Sequence, residues 1–200
     1  MKYQYRILKT DVLYQGFLQL NRYQLEHELF AGGSSSVISR ERIEGYRAAA
    51  VLLYDPDLDE VVMIEQFRIG ALEDPAGAWL LEVIGGLIET DESAESVAQR
   101  EAEEEAGCQV LELLPICNFW VSPGFSTEQI TLYCGKVDAS HAGGIHGLAE
   151  EGEDIRAVVM KADEVIAELY GGRVNSTSAI IAVQWLAMHR EQLREQWRSN

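Results

Sequence analysis

Residues 86–108, GLIETDESAESVAQREAEEEAGC, carry the strongest pattern in this sequence. The run from position 92 to 106 is rich in Ala and Glu, which favour helices, and Gly107 ends it because glycine readily adopts the left-handed conformation of a helix C-cap. Several side chains near the start of the run can accept the hydrogen bond of an N-cap: Thr90, Asp91 and Ser93. The stretch therefore predicts a helix that follows a glycine turn.

One face of the predicted helix is acidic. Glu101 and Glu105 are four residues apart and Glu104 is three from Glu101, so their side chains project from one face at a spacing of about 6 Å. Like charges at this spacing repel, and a hard divalent cation such as Mg²⁺ would relieve the repulsion because it prefers oxygen ligands and bridges to phosphates. The alternative is an ordinary solvated acidic surface. We expect Arg100 to pair with Glu92 and to hold the preceding loop on the helix.

The complete spacing favours the metal-binding interpretation. It resembles the Nudix box, G-x5-E-x7-R-E-U-x-E-E-x-G-U, at every fixed position. The two aliphatic positions (U) hold the smaller residues Ala102 and Cys108, a departure that affects packing and leaves the polar positions intact. The fixed positions are Gly86, Glu92, Arg100, Glu101, Glu104, Glu105 and Gly107.

The resemblance implies a Nudix hydrolase, which holds divalent cations on the box helix and hydrolyses a nucleoside diphosphate linked to another moiety. It implies two or three Mg²⁺ ions, for which Mn²⁺ can substitute. The metal ligands that it implies are the carbonyl of Gly85 and the carboxylates of Glu101, Glu104, Glu105 and Glu153. It gives structural roles within the box to Gly86, Glu92, Arg100 and Gly107.

Two later segments are similar to the ADP-ribose pyrophosphatase branch of this family. Pro123 lies 15 residues beyond Cys108, at the position that is typical of the branch. The loop HGLAEEGEDIR, residues 146–156, resembles its catalytic loop, and this resemblance makes Glu151 the general base and Glu153 an aid to metal binding. Taken alone, Pro123 would indicate an ordinary turn and the loop a solvated acidic run.

Further segments (VVMIEQFRIG, WLLEVIGGLIE and SAIIAVQWL) look like the same branch. On that basis Arg68 is similar to an arginine that contacts the phosphates or the terminal ribose of the substrate, and its alternative is a surface charge at a strand end. Two roles are open for Glu82: a contact with a ribose, or a buried structural carboxylate. Three N-terminal aromatic residues are candidates for stacking on adenine, with core packing as the alternative for each: Phe17, Tyr23 and Phe30.

The remaining pattern predicts an α/β sandwich with a mixed β-sheet, and the resemblance makes it a Nudix-type α/β/α sandwich. Strands are predicted at 48–54, 61–67, 80–84, 109–120, 129–137 and 155–160, and helices at 92–106, 162–170 and 176–197, with an aperiodic loop at 140–154. Residues 1–45 predict a small antiparallel β segment, and 46–200 the hydrolase domain. The resemblance implies a homodimer in which the N-terminal strands cross to the partner.

Composition excludes several classes of function. The chain has 16 Lys and Arg against 33 Asp and Glu, a net charge of −17, which argues against nucleic-acid binding. No run approaches the roughly 18 apolar residues of a membrane span, and no secretory signal is visible. Cysteines number 3, with no CxxC spacing, which favours a reducing, cytoplasmic location. The expected partner is a small nucleotide-sugar, whose phosphates an acidic protein must bind through cations.

The sequence therefore predicts a Mg²⁺-dependent pyrophosphatase that hydrolyses ADP-ribose to AMP and ribose 5-phosphate. One alternative is a pyrophosphatase for GDP-mannose or another NDP-sugar, against which Pro123 and the Glu151 loop argue. The other is a catalytically silent module that binds ADP-ribose and regulates another process. The complete set of box glutamates and the lack of a basic DNA-binding segment disfavour the silent module.

Overall fold

The structure is a computed structural model that describes residues 3–148, 150 and 152–198. In chain order, its helices are α1 (Ala94–Ala106), α2 (Ala162–Gly171) and α3 (Thr177–Arg198). Its strands are β1 (Tyr5–Gln15), β2 (Gln19–His27), β3 (Ile38–Glu44), β4 (Arg47–Asp55), β5 (Glu60–Phe67), β6 (Trp79–Glu82), β7 (Ile84–Leu87), β8 (Glu112–Trp120), β9 (Gln129–Lys136), β10 (Gly144–His146) and β11 (Ile155–Lys161).

The chain divides into two compact units. Unit 1 comprises Met1–Arg47 and Trp120–Gln129. Within it β1, β2 and β3 form an antiparallel sheet, and Ile43 of β3 exchanges backbone hydrogen bonds of 2.8 and 3.1 Å with Phe125 and Thr127. The buried Asn21 donates to Glu44 at 2.9 Å, so a polar pair lies where β2 begins and β3 ends.

Unit 2 comprises Ala48–Phe119 and Ile130–Asn200 and contains the larger sheet. The strand order among the described residues is β10-β11-β5-β4-β9-β8, with β6 paired to β5 and β7 paired to β4. The middle of β4 is buried on both faces, which explains its continuous apolar sequence. One face packs against α1, and the other packs against α2 and α3. The predicted α/β sandwich with a mixed sheet and a small N-terminal antiparallel sheet is confirmed.

Two local predictions were wrong. The single strand expected at 80–84 is two short strands, because β6 pairs with β5 and the chain then changes partner at Val83, after which β7 pairs with β4. β7 also continues through Gly85 and Gly86, where a Cβ on Gly85 would lie 2.7 Å from the carbonyl oxygen of Ala49. The expected loop at 140–154 contains β10, which pairs with β11 over only 3 residues and therefore leaves no periodic signal.

None of the helices in the described part of the chain combines the length and the apolar character that crossing a membrane requires.

Candidate active site

The acidic helix α1 is defined by its two caps. Ser93 is the N-cap: its hydroxyl accepts from the backbone N–H of Ser96 at 3.1 Å, while the hydroxyl of Ser96 accepts from the N–H of Ser93 at 3.1 Å. Gly107 ends the helix with φ +63°, and its N–H donates to carbonyls of the last turn. These local interactions fix the register of the carboxylates.

Two glycines of β7 allow the box carboxylates to approach the sheet. A Cβ on Gly86 would lie 1.8 Å from Oε1 of Glu101, so the carboxylate occupies the space that any side chain would need. The backbone N–H of Gly85 donates to Oε2 of Glu105 at 3.0 Å. As a result Glu105 is 2% exposed and Glu101 is 9% exposed, although both are acidic.

Arg100 connects the loop before the helix to the acidic face. Its Nε donates to Oε1 of Glu92 at 3.2 Å, and Glu92 also accepts from the backbone N–H of Glu89 at 3.0 Å, a bond that lowers its pKa most, with Arg100 adding to the effect. The pairing that the sequence predicts for Arg100 and Glu92 is present. Sequence reasoning missed that Arg100 also donates to Glu101 at 2.8 Å and to Glu104 at 2.9 Å.

Burial raises the pKa values of the two innermost carboxyls. Desolvation, together with the charges of Glu101 and Glu153, raises the pKa of Glu105 to about 8, against the lowering effect of the Gly85 hydrogen bond. Desolvation also raises the pKa of Glu101, and Glu153 contributes there as well. The charge of Glu153 thus acts on both helix carboxylates, an interaction that its position in the sequence alone could not show.

The loop that carries Glu153 is attached to the end of α1. The N–H of Gly147 donates to the carbonyl of Glu104 at 3.3 Å, and a Cβ on Gly107 would lie 2.9 Å from the ring of His146. The Glu153 carboxylate accepts from the N–H of Leu148 at 3.1 Å. Glu151, the predicted general base, lies outside the described residues.

Arg68 lies on the same side of the sheet as the carboxylates of Glu101, Glu104, Glu105 and Glu153, which together are called the carboxylate group below. Its Nε donates to Oε2 of Glu82 at 2.6 Å, and the positive charge of Arg68 acts on Glu105, whose pKa it lowers. Glu82 is thus the partner of the arginine, with a side chain 16% exposed. Sequence reasoning had named both residues without connecting them.

The remaining predicted residues belong to unit 1. Pro123 is exposed, as are Phe17 and Phe30, so core packing does not explain either phenylalanine. Tyr23 is buried and donates to Glu44 at 2.6 Å, with the Arg42 guanidinium 4.4 Å from its ring centroid. Tyr23 is therefore a structural residue of unit 1.

The donor set fits a hard divalent cation. Glu101, Glu105 and Glu153 offer carboxylate oxygens whose charges act on one another, and Glu104 shares the guanidinium of Arg100 with Glu101. Within residues 3–148, 150 and 152–198, no three acidic, histidine or cysteine side chains already have their donor atoms arranged around one point. The match to Mg²⁺ rests on the chemistry of the donors, which are carboxylate oxygens.

Comparison with known proteins supports the same assignment. Residues 46–179 match the NUDIX domain. The chain belongs to the Nudix family. The match covers the box, Arg68 and the loop of Glu153, so all the residues that form the carboxylate group lie within the family's domain.

Curated relatives of this Nudix protein extend over nearly its whole length. It is 45% identical to an ADP-ribose pyrophosphatase of Haemophilus influenzae, over 96% of this chain and 90% of that protein. It is 43% identical to an ADP-ribose pyrophosphatase of Escherichia coli K12, over 96% and 91%. A GDP-mannose pyrophosphatase of Yersinia pestis is 28% identical over 91% of each chain. Among solved structures, an ADP compounds hydrolase shares the fold with a TM-score of 0.71 at 19% identity, over 98% of this chain and 97% of that one.

Proposed function

We propose that this Nudix protein is a Mg²⁺-dependent pyrophosphatase that hydrolyses ADP-ribose to AMP and ribose 5-phosphate. The observation that carries the choice of substrate is the contrast in identity, 45% to an ADP-ribose pyrophosphatase against 28% to a GDP-mannose pyrophosphatase, with most of the chain aligned in both cases. The site supports the reaction class, because buried carboxylates lie beside an arginine that can neutralise phosphate.

In this proposal Glu101, Glu104, Glu105 and Glu153, with the carbonyl of Gly85, hold two or three Mg²⁺ ions, and Mn²⁺ can replace them. When bound at these residues, Mg²⁺ would supply positive charge to neutralise the diphosphate and would lower the pKa of a water molecule. Gly86 gives Glu101 the space to reach its position, and Arg100 sets the spacing between Glu101 and Glu104. The like charges of Glu101 and Glu104 repel each other, and a bound cation would relieve this repulsion.

The chain's own groups orient the substrate. Glu82 accepts from Nε of Arg68, which leaves the terminal guanidinium nitrogens available to phosphate oxygens. Pro123 is proposed to contact the substrate as well. Hydrolysis breaks one P–O bond of the diphosphate, and the water oxygen bonds to the phosphorus that is released from the bridging oxygen.

Glu151 is proposed to accept the proton of the attacking water. Support comes from its neighbours in the sequence, since the N–H of Gly147 donates to the carbonyl of Glu104 and the charge of Glu153 acts on Glu105. We expect Glu151→Gln to lower kcat by about 10²-fold or more, with little change in KM or in the Mg²⁺ requirement. Glu150→Gln, at an exposed neighbouring position, is the matched control. Near-normal turnover of Glu151→Gln would move the base to another carboxylate.

The direct test of the reaction is product analysis. Purified protein with ADP-ribose and Mg²⁺ should yield AMP and ribose 5-phosphate in equal amounts on an ion-exchange column, and chelation of the metal should stop the reaction. The Glu105→Gln variant controls for contaminating hydrolases, because it should abolish nearly all product. ADP-ribose that stays intact under these conditions would contradict the proposal.

We also propose a homodimer that forms through the N-terminal segment, residues 1–45, with the Nudix domain at 46–200. Supporting this, β1 pairs with β2 alone among the described strands and is exposed along almost its whole length. It presents apolar side chains such as Tyr5, Val12 and Tyr14 to solvent. Light scattering should give twice the mass of 22.4 kDa. A cytoplasmic location is proposed from the free thiols of Cys108, Cys117 and Cys134.

A further inference from the structure

Gln66 lies in β5 on the face of the sheet that carries the carboxylate group. Ile64, two residues before it, packs in the core cluster of α1, and Arg68 follows two residues later. Because side chains alternate along a strand, Gln66 projects from this same face. Its cross-strand neighbours are Leu80 of β6 and Ile155 of β11. Gln66 therefore shares this face with Arg68, the arginine that can bind phosphate, which lies just beyond the end of β5.

The same pairing brings Gln66 close to the loop of Glu153. Ile155, opposite Gln66, comes two residues after Glu153, and the register of β5 with β11 runs without a shift from Gln66 to Glu60. In this antiparallel register Arg68 and Glu153 both extend from the same end of the Gln66–Ile155 pair, so Gln66 lies at the end of the strands from which the arginine and the loop continue. In the described part of the chain, neither Arg68 nor Glu153 forms a hydrogen bond with the side-chain oxygen of Gln66.

The side-chain oxygen of Gln66 is buried and has no hydrogen-bond partner among the described residues. An unsatisfied buried acceptor costs about 1–3 kcal/mol, so a protein retains one where a ligand supplies the missing donor. Phosphate oxygens cannot donate a hydrogen bond, whereas sugar hydroxyls can. The diphosphate of ADP-ribose is flanked by two riboses, the adenosine ribose and the terminal ribose, and their hydroxyls are donors of the kind that this oxygen lacks.

We propose that Gln66 is a specificity-determining residue whose side-chain oxygen accepts a hydrogen bond from the 2- or the 3-hydroxyl of the terminal ribose. The inference rests on the proposed function and deepens it, since it names the side chain that recognises the terminal ribose, the sugar attached to the diphosphate at the end opposite the adenosine. Arg68 binds the phosphates of any nucleoside diphosphate derivative, and Gln66 distinguishes the sugar that is attached to them.

The test compares wild type with Gln66→Met, which keeps the length of the side chain and removes the amide. Gln184→Met is the matched control, because Gln184 is exposed on α3, which packs on the opposite face of the sheet. The substrates are ADP-ribose and two analogues whose terminal ribose lacks the 2- or the 3-hydroxyl. We expect Gln66→Met to lower kcat/KM for ADP-ribose about tenfold or more, and for one deoxy analogue less than twofold. Its melting temperature should not fall, because the variant removes an unsatisfied buried oxygen.

Other results overturn the inference. Equal losses of kcat/KM on ADP-ribose and on both analogues would mean that Gln66 contacts a part that the three substrates share. If the Mg²⁺ requirement rose as well, Gln66 would act on a metal-bound water. An unchanged kcat/KM for ADP-ribose would mean that Gln66 makes no contact with the substrate. Failure of the proposed function is distinguished by wild type itself: absence of ADP-ribose cleavage overturns both proposals, whereas wild-type cleavage without the expected pattern in Gln66→Met overturns only this one.

Discussion

Replacement of Gly86 by Ala should damage catalysis far more than it damages the fold. The new Cβ would lie 1.8 Å from Oε1 and 2.3 Å from Cδ of Glu101. Real contacts of this kind need about 3 Å or more, so the carboxylate must move by more than about 1 Å. The displaced atoms are the far end of a flexible side chain, and the backbone of β7 can therefore stay in place.

A displacement of this size has a definite expected effect. Misplacing a catalytic group by about 1 Å can cost about 10²-fold in rate, or about 2.7 kcal/mol of transition-state stabilisation. We therefore expect kcat/KM for ADP-ribose to fall about 10²-fold in Gly86→Ala at saturating Mg²⁺. The melting temperature should change by only a few degrees.

The matched control is Gly171→Ala at the end of α2. There the nearest atom is the free end of Glu168, at 2.7 Å, and the glycine lies away from the carboxylate group. This variant should keep full activity. If Gly86→Ala retained more than about a third of wild-type kcat/KM while folding normally, the position of Glu101 against Gly86 would not be the one used in catalysis, and the reasoning would be refuted.

The remaining predictions concern charge. Glu105→Gln should lower kcat by about 10³-fold, whereas Glu103→Gln, on the exposed side of α1, should leave kcat nearly unchanged. Similar rates for the two variants in the same Mg²⁺-saturated assay would contradict the assignment of Glu105 as a metal ligand. Hydrogen bonds from Arg190 lower the pKa of Asp59 to about 2 from 3.8, so its contribution of about 2 kcal/mol is fully present above about pH 4 and is lost as pH falls towards 2. In urea unfolding, wild type should therefore exceed Asp59→Asn in stability at pH 6, and the gap should shrink below pH 4; a gap independent of pH would be inconsistent with the ion pair.

The sequence was sufficient to predict those structural features that depend on residues close together in the chain. The helix α1 could be predicted because Ser93 and Gly107 cap it within its own turns, and the pairing of Arg100 with Glu92 because the two residues flank one helix terminus. For these residues a few neighbours in the chain decide the structure.

Contacts between distant segments could not be predicted in the same way. The bond of Arg68 to Glu82 depends on the register of β5 with β6, and the approach of Glu153 to Glu105 depends on where β11 pairs. The change of partner at Val83 also depends on tertiary pairing, because a run of apolar residues does not show which neighbour a strand takes. The unsatisfied oxygen of Gln66 is visible only once all of these strands are in place.

The central claim is that this Nudix protein selects ADP-ribose, and the most direct measurement is kcat/KM of the wild-type protein for ADP-ribose and for GDP-mannose under one set of conditions with Mg²⁺. We expect ADP-ribose to be preferred by at least about tenfold, or about 1.4 kcal/mol in the transition state. A higher kcat/KM for GDP-mannose would contradict the choice of substrate, and absence of cleavage of either compound would contradict the assignment of a pyrophosphatase.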